Sequence, residues 1–215
     1  MDEFTRRQFL YSSTAAAACL VASANPCHAF LNWGKNQSKR DIRGEIFTDG
    51  APDSLWKWSR EAMDYRQLDQ NRVVCGICPH NCELAPGDRS ICRSKVNMDG
   101  TLYTLTYGNP CAVHLDPIEK KPLFHFLPNS KAFSVATTGC NLRCLNCQNW
   151  QISQARPKEV RTYDLFPEGV VEKAERLDAD AIAYTYSEPV TFYEYVHDTG
   201  RKAHQHQLRN VLISN

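Results

Sequence analysis

From Lys131 onward the apolar positions fall into short runs that alternate with helical stripes. Ala132-Phe133-Ser134-Val135-Ala136-Thr137 is compact, mostly apolar and rich in strand formers, and it predicts a first β-strand. Between Pro167 and about Leu177, Val170, Val171, Ala174 and Leu177 recur at helical spacing, which predicts a helix with those residues inward. Ala181 to Thr185 predicts a second strand, Val190 to about Gln205 a second helix, and Asn210 to Ser214 a third strand. Strands alternating with helices of this length imply parallel, right-handed βαβ units. Upstream, Leu102, Leu105 and Tyr107 alternate with threonines after Asp99-Gly100, which reads as a hairpin. A short helix is expected from Asp53, capped by Asp53 or Ser54, with Leu55, Trp58, Ala62 and Met63 on one side.

The composition is that of an ordinary globular chain, with 215 residues, 42% hydrophobic and 10% aromatic. A net charge of +1 and the lack of a long basic run give no electrostatic reason to expect nucleic acid. The N-terminus is different in character. Thr5-Arg6-Arg7-Gln8-Phe9-Leu10 followed by a weakly apolar run resembles a twin-arginine export signal, with cleavage expected by Ala29. The run is too short and too polar for a stable membrane span, which takes about 20 residues. Residues 1–29 are therefore read as signal peptide, 30–72 as linker and short helix, 73–130 as a cysteine-rich metal-binding module, and 131–215 as an α/β core. The signal implies a periplasmic location, or a cytoplasmic one if it is not used. A sheet of three parallel strands would leave an apolar edge, so further βα units are expected beyond Asn215.

Ten cysteines are the anomaly, and their spacing decides what they do. Cys140-Asn141-Leu142-Arg143-Cys144-Leu145-Asn146-Cys147 is CxxxCxxC on the loop that leaves the first strand. Three thiolates so spaced can wrap one face of a [4Fe–4S] cluster and leave its fourth iron open, which a catalytic site needs. The competing reading places three core cysteines on one helical face, but Gly139, Asn141 and Asn146 argue against a helix interior. The carboxyl end of a strand is also where α/β folds put their sites.

These residues carry a specific resemblance. CxxxCxxC after a first strand, within TTGCNLRCLNCQNWQISQ, with DPIEKKPLFHFLP upstream and YTYSEP downstream, resembles the radical S-adenosylmethionine superfamily. In particular it is similar to the radical enzymes of the AmmeMemoRadiSam system, relatives of the pyruvate formate-lyase activating enzymes, from about Val74 to Asn215. The resemblance implies the N-terminal part of a partial (β/α)6 barrel, a partial TIM barrel, in which Cys140, Cys144 and Cys147 bind the cluster and S-adenosylmethionine chelates the open iron. Reductive cleavage of the cosubstrate would then yield methionine and a 5′-deoxyadenosyl radical that abstracts hydrogen from an unassigned substrate. An electron donor such as flavodoxin or ferredoxin is implied, as is a protein substrate or partner proteins of the system. The residue before the third cysteine usually packs the adenine as a large apolar side chain; here it is Asn146, which offers hydrogen bonding instead. Ser187 and Glu188 fall where the superfamily binds the cosubstrate's ammonium group. Read without the cysteine loop, Glu188-Pro189 is better taken as a helix start with a carboxylate at the positive end of the dipole; with the loop, cosubstrate binding is favoured. Ser214 and Asn215, at the tip of the third strand, are weaker candidates.

A second group, Cys75, Cys78, Cys82 and Cys92, has the spacing of a closed four-ligand site. Zinc and a second, fully ligated iron–sulfur cluster are both open, and disulfides are the competing reading for an exported protein. The segment from Cys111 to Phe126 is dense in titratable side chains; it offers a lining for the substrate end of the site, surface charges and core aromatics explain such a string equally well, and no catalytic residue is assigned in it. Cys111 reads as a free thiol. The alternative function is an exported iron–sulfur electron carrier or metal-binding protein that does not bind S-adenosylmethionine. Three rather than four cysteines in the loop favour the enzyme, since electron carriers usually ligate every iron.

Overall fold

A computed structural model describes residues 57–215. The twin-arginine segment, and with it the expected location, lies outside the described residues. Among those residues no helix is long and apolar enough to cross a membrane.

The core is a mixed α/β arrangement. Its strands are β7 (Ala112–Pro117), β8 (Lys131–Ala136), β9 (Ala181–Tyr184) and β10 (Arg209–Leu212). They form one open sheet in the order β10-β9-β8-β7, parallel from β8 to β10 and antiparallel at β7. The three predicted strands are present within a residue or two. Strand β7 was not expected: His114, Asp116 and Pro117 interrupt its apolar pattern, and its partner β8 lies 13 residues beyond a segment with no turn signature of a hairpin.

Two helices cover one face of the sheet. Helix α2 (Pro167–Arg176) begins with Pro167 in the first turn and ends before Asp178, whose φ of 52° stops it. A 3-10 turn, Pro189–Phe192, leads directly into α3 (Tyr193–Gln205). Here the expected single helix starts with a tighter turn, which the non-helical backbone of Phe192 (φ −117°, ψ 40°) separates from the α-helix. Phe133, Val135, Ile182 and Tyr184 pack on this side against Val170 and Val171 of α2 and Tyr195 and Val196 of α3. Each such large side chain contributes about 1.5–3 kcal/mol on burial, so this layer holds the core. A four-residue helix α1 (Trp150–Ser153) follows the cysteine loop.

The opposite face is built of small and polar residues. Register pairs Asp116 with Ala132 and His114 with Ser134 across β7 and β8, and pairs Ala132 and Ser134 with Ala181 and Ala183 of β9. Partners directly opposite share a face, so Asp116, His114 and Ser134 stand on a floor of alanines. Ile118, in a 3-10 turn, and Leu123 pack on the end of that floor.

The cysteine-rich region consists of two small antiparallel sheets. One joins β1 (Arg60–Glu61), β6 (Thr101–Thr104) and β5 (Lys95–Met98); the other joins β2 (Tyr65–Gln67), β3 (Val73–Cys75) and β4 (Glu83–Leu84). The β5–β6 hairpin turns at Asp99 and Gly100, both at positive φ as the Asp-Gly pair predicts. The helix expected from Asp53 is corrected from Lys57 onward; Asp53 to Trp56 lie outside the described residues. Arg60 and Glu61 pair with Thr104 and Tyr103, and the Ala62 N–H donates to the Leu102 carbonyl at 2.8 Å, so sheet pairing takes the backbone bonds a helix would have used. Ala62 is nevertheless buried, as its place in the expected stripe required, whereas Met63 is 45% exposed.

Candidate functional site

The cysteine loop leaves β8 through Thr137, Thr138 and Gly139. Gly139 has a φ of 90°, and a Cβ built there would collide with the carbonyl oxygen of Cys92. Only glycine allows this approach of the loop to the cysteine-rich region. The loop is then tied down on both sides: the Gly139 N–H donates to Ile152 at 3.0 Å, and Gln154 Nε2 donates to the Leu142 carbonyl at 3.0 Å. On the other side His80 Nε2–H donates to the Asn141 carbonyl at 2.8 Å.

Cys140, Cys144 and Cys147 line one cleft of about 280 Å³. Cys140 is buried, Cys147 half-buried and Cys144 exposed. Burial pushes the Cys140 thiol up, partly countered by the Leu142 and Glu188 backbone N–H groups that face it. A bound cation would reverse that balance and favour the thiolate.

The tip of β9 forms the opposite wall, with Thr185, Ser187 and Glu188 lining the same cleft. Ser187 Oγ donates to the Thr137 carbonyl at 2.9 Å, joining the tips of β9 and β8. The Glu188 carboxylate is 6% exposed and accepts from Ser214 Oγ at 2.7 Å and the Asn215 N–H at 3.1 Å. It makes no capping bond to the 3-10 turn that follows. The helix-start reading of Glu188 therefore does not account for its side chain, which crosses to the tip of β10 instead. Asn146 is exposed and stands outside the lining of the cleft.

Sequence reasoning missed a polar corner of this cleft. Lys121 and Tyr186 both line it. Asp116 accepts from Lys120 Nζ at 2.7 Å, Lys121 Nζ at 2.7 Å and Tyr186 Oη at 2.5 Å. Burial works against ionisation of Asp116, but these three donors outweigh it and hold the carboxyl well below the usual range. Tyr186 makes this bond from a backbone φ of 67°, an uncommon conformation for a bulky residue. Asp116, Lys120 and Lys121 belong to the titratable segment in which no catalytic role is assigned from sequence; what the sequence could not show is that Tyr186 and Asp116, 70 residues apart, meet.

Cys75, Cys78, Cys82 and Cys92 line a second, enclosed space of about 10 Å³, together with His80 and Asn141. That is room for a single water or ion. Burial pushes the Cys75 thiol up to about 12 and raises Cys82 as well. Cys92 Sγ sits between the hydroxyls of Ser90 at 3.0 Å and Ser94 at 3.1 Å. All eight described cysteines are free, so no disulfide joins any two of them. Cys111 is half-buried against the Ala136 carbonyl, its thiol pushed up to about 12 by burial. Among the described residues no three His, Cys, Asp or Glu side chains already stand close enough together to hold a metal ion. The donor sets nonetheless suit metals: three thiols share the open cleft, four share the small enclosed space, and Asn141, which lines the enclosed space, has its Oδ1 buried without a hydrogen-bond partner.

No family model matches the chain, and no solved structure matches it significantly. An uncharacterized protein of Methanocaldococcus jannaschii is 47% identical over 156 residues, which cover 73% of this chain. The matched stretch is 47% of that relative, so the chain spans about half the length of the relative it resembles.

Proposed function

We propose that this chain carries the cofactor-binding part of a radical S-adenosylmethionine enzyme, built on the first strands of a partial (β/α)6 barrel. The observation that supports it is the shared cleft: Cys140, Cys144 and Cys147 face Ser187 and Glu188 across one opening at the carboxyl ends of β8 and β9. In this reading the three thiolates hold a [4Fe–4S] cluster. Such a cluster would supply the electron for reductive cleavage of the sulfonium carbon–sulfur bond of S-adenosylmethionine, the chemistry that precedes hydrogen abstraction. The protein's part is to hold, orient and shield.

Each of those tasks has a residue. Gly139 lets the loop lie close against the cysteine-rich region, with all three cysteines lining the cleft. Glu188, already fixed by Ser214 and Asn215, presents a carboxylate for the cosubstrate's ammonium group, a charge-assisted bond. Ser187 locks the spacing of the two strand tips. Asn146 is left without a part in binding adenine by this arrangement, and Gln148 and Asn149, which do line the cleft, take that place in the proposal. An external low-potential electron donor, flavodoxin or ferredoxin in kind, is required.

For Cys75, Cys78, Cys82 and Cys92 the proposal is one metal ion, zinc in kind. The enclosed space is the size of a single atom rather than of a cluster.

The test is electron paramagnetic resonance of the anaerobically reconstituted, reduced protein with and without S-adenosylmethionine. A [4Fe–4S]⁺ signal that shifts on addition and is lost in Cys144→Ala is expected. A cluster signal indifferent to S-adenosylmethionine would remove the enzyme reading and leave an iron–sulfur protein of another kind. Zinc content by elemental analysis, lost in Cys75→Ser and retained in Cys144→Ala, tests the second site separately.

A further inference from the structure

The polar corner of the cleft has more cationic groups than its own structure uses. Lys121 is 3% exposed, yet it lines the opening beside the three cysteines. Burying an ammonium group is costly unless it is paired, and Asp116 supplies the pairing at 2.7 Å. Asp116, however, is shared. Lys120 Nζ lies 2.7 Å from its other oxygen, so two lysines stand on one carboxylate. Tyr186 Oη donates to the same acid and stands 3.5 Å from Lys121 Nζ. One negative charge is thus surrounded by two positive charges and a hydroxyl donor, a corner with one uncompensated positive charge. The other acid of the cleft, Glu188, is committed to Ser214 and Asn215 at the β10 side and is not bonded to either lysine.

The floor beneath this corner is closed: Ala132, Ala181 and Ala183 are fully buried against Ile118, and Ser134 is buried beside them. A ligand therefore meets the corner from the cleft side, where Lys120, Lys121 and Tyr186 line the opening. His114 lies edge-to-face against the Tyr186 ring at 5.8 Å, which fixes the ring over the floor. Tyr186 keeps its φ of 67° in that position, and a bulky residue holds such a conformation only where surrounding contacts over-determine it.

We propose that Lys121, with Lys120 beside it, is an oxyanion subsite of the cleft, and that it takes a carboxylate or phosphate group of the substrate. Asp116 and Tyr186 are positioning residues: they hold the Lys121 ammonium at the opening and keep it charged. The assignment of that anion to the substrate rests on reading the cleft as a radical-enzyme centre; the subsite itself does not.

The experiment separates the two. Equilibrium dialysis of labelled inorganic phosphate against the full chain, prepared without a cluster and at fixed ionic strength, measures the subsite alone. One saturable site is expected, weakened about tenfold in Lys121→Met and restored in Lys121→Arg, as the loss of one charge-assisted contact requires. In parallel, the affinity of the cluster-reconstituted protein for S-adenosylmethionine is expected to be the same in Lys121→Met and the parent. Phosphate and S-adenosylmethionine affinities that fall together would overturn the substrate assignment and give the subsite to the cosubstrate's carboxylate. No saturable phosphate site, or one indifferent to Lys121→Met, overturns the subsite. Should Lys121→Met fail to fold, Lys120→Ala carries the test, because that side chain is 60% exposed; undiminished phosphate binding in it overturns the paired-lysine corner.

Discussion

Lys95 and Glu194 form an ion pair with side chains 1% and 0% exposed, joining the cysteine-rich region to the helix that follows Glu188. The Lys95 ammonium donates to both carboxylate oxygens at 2.8 and 2.6 Å, and the Met63 N–H donates to one of them at 3.2 Å. At an effective dielectric near 20, two charges about 2.7 Å apart attract by roughly 6 kcal/mol. Desolvation costs several kcal/mol for each ion, so the net contribution of the pair is close to that of an apolar pair in the same space. Removing one partner is different, because it strands the other charge. Glu194→Leu or Lys95→Met alone should destabilise the protein by about 3–5 kcal/mol, a fall in melting temperature of about 6–20 °C for a chain of this size. The double substitution Lys95→Met with Glu194→Leu should lose only about 1 kcal/mol, chiefly the orphaned Met63 N–H. Urea unfolding of the parent, both single variants and the double variant, followed by circular dichroism, gives all the values. If the single variants are no worse than the double, the pair is not a mutually dependent buried unit and the reasoning fails.

Four further outcomes follow from the geometry. Gly139→Ala should abolish iron incorporation on anaerobic reconstitution, since the added Cβ meets the Cys92 carbonyl; full iron content would show that the approach is dispensable. Glu188→Gln should leave iron content unchanged and weaken S-adenosylmethionine binding about tenfold in equilibrium dialysis, the loss of one charge-assisted bond. Asp116→Asn should destabilise the protein by about 3 kcal/mol at neutral pH, because Lys121 is left buried without its counter-charge. The folded-state pKa of Asp116 is depressed, so its contribution is full above the unfolded value near 4 and is lost as pH falls toward the folded value. The melting temperatures of parent and Asp116→Asn should accordingly converge as pH is lowered from about 4 toward 2, and a difference that persists at acid pH counts against this account.

The legibility of the fold tracks the range of the interactions that decide it. Helix α2 and the strands β8 and β9 are set by local periodicity, with Val170, Val171 and Ala174 facing Phe133 and Ile182, and the sequence alone is enough to find them. Asp99-Gly100 fixes its hairpin because the turn itself needs two residues at positive φ. Strand β7 and the short strands near Arg60 were hidden for the opposite reason. Their backbone bonds go to partners far along the chain, and their side chains carry little pattern: β7 has one buried residue, Asp116, and Arg60 and Glu61 are both exposed. The site divides the same way. Both cysteine groups were visible as spacings, since a loop that binds one centre must bring its ligands close in sequence. The corner of Asp116, Lys121 and Tyr186 depends on β7 lying beside β8 and on the backward turn of Tyr186, neither of which has a local signature.

The two cysteine groups share one wall. Asn141 lies between Cys140 and Cys144 in sequence yet lines the enclosed space of Cys75, Cys78, Cys82 and Cys92, where His80 donates to its carbonyl. The carbonyl of Cys92 is the atom that forbids any side chain at Gly139. Ser94, whose hydroxyl touches the Cys92 sulfur, donates to Thr191 at 2.9 Å, and Thr191 Oγ1 donates to the Glu188 carbonyl at 2.8 Å. Every contact in this chain is short and most of it is buried, so a shift of the Cys92 segment is transmitted to both walls of the open cleft. A metal ion held by the four thiols would fix that segment at its root. The cysteine-rich region then sets the separation between the three-cysteine loop and Glu188, the dimension on which the proposed binding of a cosubstrate by both ends would depend.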